Sequence, residues 1–228
     1  SKQKQIVFND LDYRKINNNN IEIYPSSIYS NKIVEIMKEG SNTAFNYNPL
    51  ITQTSIGYMD SIQNVLIANT ENLFVTDERT RCRLSVNAVA SNENEKQTGY
   101  FGPGAMKGIE FLDTINIKNI ATEAARSAVT MLNAKDCPSG KMPVIMDNGF
   151  GGVIFHEACG HGLEAAAIAK KASVFTDKIG EKIASDKVTA IDDGTISNSW
   201  GSINVDDEGI PAQKNILIEN GVLKNYMV

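Results

Sequence analysis

The stretch Leu84-Ser85-Val86-Asn87-Ala88-Val89-Ala90 decides the architecture. Leu84, Val86, Ala88 and Ala90 alternate with polar Ser85 and Asn87, and a period of two marks a strand with one face buried. The texture extends on both sides. From Leu50 to Tyr100 the chain is made of short runs rich in Val, Ile, Thr and Phe. Asn69-Thr70-Glu71-Asn72 separates two of them and Ser91-Asn92-Glu93-Asn94 two more, which predicts a meander of antiparallel strands.

Working outward, Gln3 to Phe8 reads as a short strand and Asn17 to Asn20 as a polar loop. Ser27 to Lys38 carries Ile28, Ile33, Ile36 and Met37 at helical spacing, with Gly40 as the expected stop. Gly99 to Gly108 reads as a Gly-rich loop. Asn119 to Ala134 is the clearest helix, capped by Asn119, with Ile120, Ala124, Ala128 and Leu132 on one face and Cys137-Pro138 beyond its end. Pro143 to Met146 follows as a short buried strand, Asp147 to Gly152 as a turn, and a second helix is expected from Val153 toward Lys171. Lys187 to Asp192 reads as a strand. Asn220-Gly221 between Asn215–Glu219 and Val222–Met227 is the strongest short hairpin signal. The expected class is α+β, with a strand-rich part over 1–115 and a helix and strand part over 116–228.

Composition narrows the function only coarsely. The 228 residues are 42% hydrophobic, enough for one large domain or two small ones. Twenty-two Lys and Arg against 27 Asp and Glu give a net charge of −5, with no basic stripe for nucleic acid. No apolar run approaches the ~18 residues of a membrane span. Cys82, Cys137 and Cys159 read as free thiols in a reducing compartment, and no export leader is visible, so the expectation is a cytoplasmic protein. The two histidines sit five positions apart.

They lie in Gly152-Val153-Ile154-Phe155-His156-Glu157-Ala158-Cys159-Gly160-His161-Gly162-Leu163-Glu164. Zinc peptidases commonly space two helical histidines at i and i+4, on one face. At i and i+5 an ideal helix separates them by about 140°. His156 and His161 share an ion only if the helix carries a π-bulge or loosens at Gly160 or Gly162. The helix is therefore expected to be irregular. The chemistry fits zinc hydrolysis: imidazoles as ligands, and Glu157 to accept a proton from the activated water. The bland alternative is that the histidines are satisfied without metal and the helix only packs at a subunit interface, as in a scaffold domain. For a third ligand, Cys159 points elsewhere on a helix, Cys82 and Cys137 are distant, and Glu164 comes within reach; none stands out.

The sequence resembles the TldD/PmbA family of metallopeptidases, historically labelled modulators of DNA gyrase. Ala124-Ala125-Arg126, Met142-Pro143-Val144-Ile145, the segment 152–164, Ser173-Val174-Phe175 and Gly180-Glu181-Lys182-Ile183-Ala184-Ser185 occur in the family's order. Gly201-Ser202-Ile203-Asn204-Val205-Asp206-Asp207-Glu208-Gly209 and Ile218-Glu219-Asn220-Gly221-Val222-Leu223 complete the match, which is strong from about residue 115 onward. The chain resembles the motif-bearing, TldD-like kind of subunit. That implies His156 and His161 as zinc ligands and Glu157 as general base. It also implies a motif-less PmbA-like partner (or self-association) and unfolded or small peptide substrates held in extended form. The family's third ligand is a cysteine in a C-terminal region, and family members have further chain before residue 1. The resemblance thus implies an internal fragment, short of one ligand and with little activity or metal of its own.

Two acidic clusters remain. Asp192-Asp193-Gly194 and Asp206-Asp207-Glu208-Gly209 lack the ligand pattern of a calcium loop and read as turns, although the second shapes an active-site wall if the resemblance holds. Gly149 to Gly152 offers backbone amides to an anion or oxyanion. Trp200 and the Tyr100-Phe101 pair read as packing residues.

Overall fold

A computed structural model describes residues 12–15, 19–25 and 30–227. The strand expected at Gln3–Phe8 lies outside them. The described chain is α+β and divides into two compact units, Ser1–Asp136 with Thr195–Ala212, and Cys137–Gly194 with Gln213–Val228.

In the first unit β1 (Asp12–Lys15) precedes helix α1 (Ser30–Phe45), and β2 (Ile51–Ala68) and β3 (Leu73–Ser91) form a long antiparallel pair. Along its other edge β3 receives β1 in parallel, then β5 (Gly104–Ala105) and β4 (Lys96–Phe101), both antiparallel. The tetrapeptides expected to be turns are turns. Asn69 Oδ1 accepts the amides of Glu71 and Leu73, and Asn92 Oδ1 those of Asn94 and Glu95. Part of the expected Gly-rich loop is strand instead: Gly99 lies in β4 and Gly104 in β5.

Leu84, Val86, Ala88 and Ala90 are fully buried, as their alternation requires. They share a core with Ile120, Ala124, Ala128 and Leu132 of α2 (Ile117–Leu132). The cap of α2 is Asn116, whose side chain accepts the Asn119 amide, so the helix starts earlier than expected. Because its apolar face belongs to this core, the unit boundary falls after residue 136 and not after 115. Helix α1 likewise runs through Gly40 to Phe45 and does not stop there. A Cβ on Gly40 would lie 2.8 Å from Ile117 Cδ1, so the glycine serves close helix contact. The approach of α2 to β4 is closer still, since a Cβ on Gly99 would overlap the Ala124 carbonyl oxygen.

Residues 195–212 join this unit through a polar network. Asn19 Oδ1 accepts the Asn198 amide at 2.7 Å and the Ser202 hydroxyl at 3.2 Å, and Asn204 Nδ2 donates to Asp77 at 2.5 Å. Asp77 pairs with Arg79 Nε at 2.9 Å, and Arg79 also donates to the Val205 carbonyl at 2.9 Å. Asn19, Asp77, Ser202 and Asn204 are all buried. Burying such groups is tolerable only because each finds partners. The expected polar loop at Asn17–Asn20 therefore contains a buried anchor. Asp206–Gly209 is a turn: Asp206 Oδ1 accepts the amides of Glu208 and Ile210, Gly209 has φ +83°, and Asp207 reaches Arg79. Trp200 packs beside the guanidinium groups of Arg83 and Arg81, at 5.2 and 6.0 Å, whereas Tyr100 and Phe101 are exposed.

The second unit contains α3 (Phe150–Phe155), the motif segment, α4 (Ala165–Ala169) and a three-stranded sheet β6–β7–β8 (Ala190–Asp193, Lys214–Glu219, Val222–Leu223). The hairpin turn lies at Asn220-Gly221, both with positive φ, although its second strand is shorter than expected. The run Pro143–Met146 is not a buried strand. Ile145 is 100% exposed, and a short apolar run carries no period from which its environment could be read.

Two outcomes follow. Gly99→Ala is expected to destabilise the first unit by about 3 kcal/mol, at the upper end of ordinary overpacking, since backbone and not a flexible side chain blocks the methyl. A denaturant midpoint measures this, with Gly57→Ala, which meets only the Ser85 hydroxyl, as the mild control. Burial pushes the Cys82 thiol above its ordinary range, so it should resist a thiol reagent in the native protein while exposed Cys137 reacts.

Candidate metal centre

The expected irregular helix takes a definite form. After α3, residues His156–Gly160 form a π-turn, and His161–Leu163 a 3₁₀ turn. The His161 amide donates to the His156 carbonyl, an i to i+5 bond that inserts one extra residue into the turn. That insertion cancels the angular separation of a regular helix. The imidazole rings meet edge to face, with centroids 4.3 Å apart.

The motif is anchored at both ends. Phe155, just before it, packs against the unit's core, and Leu163, just after it, is fully buried with Leu217, Ile218 and Leu223. The backbone is pinned as well. Met227 donates to the Leu163 carbonyl at 2.9 Å, and Ala165 donates to Met227 at 2.7 Å. The Ser173 hydroxyl donates to the Gly162 carbonyl at 2.5 Å. Between these fixed points Gly160 is buried and has ordinary helical dihedrals, so its role is space. A Cβ there would lie 3.0 Å from His156 Nδ1.

Ligand atoms of His156, Glu157 and His161 lie within 4.8 Å of one another. Among the described residues no other group of three histidine, cysteine or acidic side chains is brought together in this way. The donor set fits a transition-metal ion. Two ligand atoms each about 2.0–2.1 Å from zinc are at most roughly 4.2 Å apart, so small side-chain rotations would suffice. All three groups are exposed. His161 Nε2 lies 3.7 Å from Glu157 Oε2, and His161 Nδ1 lies 2.7 Å from Glu164 Oε1.

The other sequence candidates do not join the cluster. Cys159 is outside it; Cys82 is buried in the first unit, and Cys137 is exposed. The Asp206–Glu208 group belongs to the first unit as well. The Gly149–Gly152 amides are partly used, since Gly152 donates to Gly149 at 3.0 Å, and α3 is only six residues long. The sequence signalled the π-turn through the i, i+5 spacing, but nothing in it signalled the support from Met227.

Two histidines and an adjacent glutamate on an irregular helix form a pattern of the kind found in metal-dependent hydrolases. Comparison makes the assignment specific. Residues 23–132 match the PmbA/TldA metallopeptidase central domain and 139–228 the PmbA/TldA metallopeptidase C-terminal domain. The chain belongs to the TldD/PmbA family. It is 39% identical over 184 residues to a metalloprotease TldD homolog of Buchnera aphidicola, covering 78% of this chain and 38% of the relative. To the Haemophilus influenzae TldD homolog it is 37% identical over 206 residues, 88% and 43% of the two chains. A Methanocaldococcus jannaschii metalloprotease is 40% identical over 177 residues, 78% and 39%. The chain thus spans about two fifths of the length of these relatives. Among solved structures, a candidate modulator of a DNA gyrase from Thermotoga maritima shares the fold at TM-score 0.78 and 24% identity, covering 99% of this chain and 51% of that one. TldE from Thermococcus kodakarensis does so at 0.69 and 20%, covering 99% and 50%.

If Gly160 serves to leave room for the His156 ring, Gly160→Ala should weaken metal binding by about tenfold, roughly the 1.4 kcal/mol that a modest clash supplies. Metal titration monitors the loss, and the unfolding midpoint should move little.

Proposed function

We propose that this chain supplies the catalytic helix of a zinc metallopeptidase acting on unfolded or small peptides. The convergence of His156, Glu157 and His161 on one side of the π-turn carries the reading, because a helix that only packed at a subunit interface would have no need of it. The metalloprotease relatives support a metal-dependent peptidase in general; zinc and the individual roles are our assignment.

Each residue has a task. His156 and His161 hold the ion through their rings. Zinc in such a site lowers the pKa of its water and polarises the scissile carbonyl. Glu157 follows directly on the first ligand, and its carboxylate lies on the Nε2 side of His161. From there it takes the proton of the attacking water and passes it to the leaving amine. Its exposure leaves room for an extended peptide backbone. The family resemblance adds a cysteine outside these residues as third ligand and a motif-less PmbA-like subunit as partner. Three free cysteines suit a reducing compartment such as the cytoplasm. No described helix is long and apolar enough to cross a membrane.

The test uses the whole protein. Glu157→Gln should lower kcat for peptide hydrolysis by about 10²–10⁴-fold, the usual scale of general-base loss, with zinc content unchanged. His156→Ala and His161→Ala should lose the metal. Hydrolysis that survives Glu157→Gln intact would rule out the assigned base.

A further inference from the structure

We infer that Glu164 is a positioning residue of the metal centre: its carboxylate holds the Nδ1 hydrogen of His161 and thereby fixes Nε2 as the metal-binding atom. The consequence for metal rests on the zinc reading above; the tautomer itself rests on geometry. Glu164 Oε1 lies 2.7 Å from His161 Nδ1. An ionised carboxylate only accepts, so the hydrogen between them is on the ring. A neutral imidazole has one such hydrogen, and with it on Nδ1 the Nε2 lone pair is free. Nε2 is the nitrogen that faces Glu157, at 3.7 Å.

Glu164 is also held where this task requires. It is the residue at which the helical run breaks, with φ −65° and ψ 134°. Its carbonyl accepts the amides of Ala167 at 3.0 Å and Ile168 at 3.1 Å, opening α4, while the next amide, Ala165, is bound to Met227. The carboxylate therefore projects from a backbone fixed on both sides. It stands behind the His161 ring and outside the convergent set of ligand atoms. Carboxylates so placed orient metal-binding histidines and raise their basicity. A glutamine would be less decisive, since its amide can present either an acceptor or a donor.

Two measurements on the whole protein decide the matter. The first is long-range ¹H–¹⁵N NMR of metal-free, histidine-labelled protein, with the His161 signals assigned by their loss in His161→Gln. The native ring should carry its hydrogen on Nδ1, and Glu164→Ala should mix the tautomers, with Glu164→Gln between. The second is competitive zinc titration. Glu164→Ala should weaken zinc binding by about 10–100-fold while one zinc per protein still binds at saturation. An unchanged tautomer in Glu164→Ala overturns the inference, as does loss of zinc stoichiometry equal to that of His161→Ala, which would make Glu164 a ligand. If the native protein binds no zinc, the peptidase reading falls, and the metal-free spectra still decide the role of Glu164.

Discussion

One backbone hydrogen bond governs the candidate site, that from the His161 amide to the His156 carbonyl. A π-turn is unfavourable in isolation and persists where its surroundings over-determine it. Here the surroundings are visible on both sides. Phe155 and Leu163 are seated in one apolar core, and the chain at Leu163 and Ala165 is pinned to Met227. The bulge spans two fixed ends and brings both imidazoles to one side. Gly160 contributes by having no side chain where the His156 ring must lie.

The first unit depends on a different balance. Its apolar core, built from β3 and α2, is ordinary in composition, and small side chains let the two elements approach closely. Beside it runs the buried chain of Asn19, Asn204, Asp77 and Arg79, whose groups are costly to bury alone and stable only together. The network links residues far apart in sequence, joining Asn19, Asp77 and Arg79 to the segment 195–212.

Much of this was legible beforehand for physical reasons. Period-two burial at Leu84–Ala90, the apolar face of α2 and the Asn220-Gly221 turn are local signals, and the structure contains each of them. The spacing of His156 and His161 announced an irregular helix because regular geometry could not serve both rings. What escaped was non-local. Gly40 resembles a helix stop until Ile117 is seen against it, and Asn19 resembles a loop residue until Asn198 and Ser202 donate to it. Nothing within Pro143–Met146 reveals that Ile145 is exposed. Glu164 was a candidate ligand by spacing alone; the structure places it against Nδ1 of His161.

The division of the chain has a consequence for how the protein is made. Residues 195–212 complete the first unit, yet they leave the ribosome only after 137–194, which belong to the second; 213–228 then return to the second. Vectorial synthesis therefore cannot complete the first unit before most of the second has been made. The nascent first unit must wait with Asp77 and Asn19 unpaired by Asn204, and the motif segment must wait for Met227. Until residues 195–227 have emerged, the polar network of the first unit and the pinning of the motif segment by Met227 both remain incomplete.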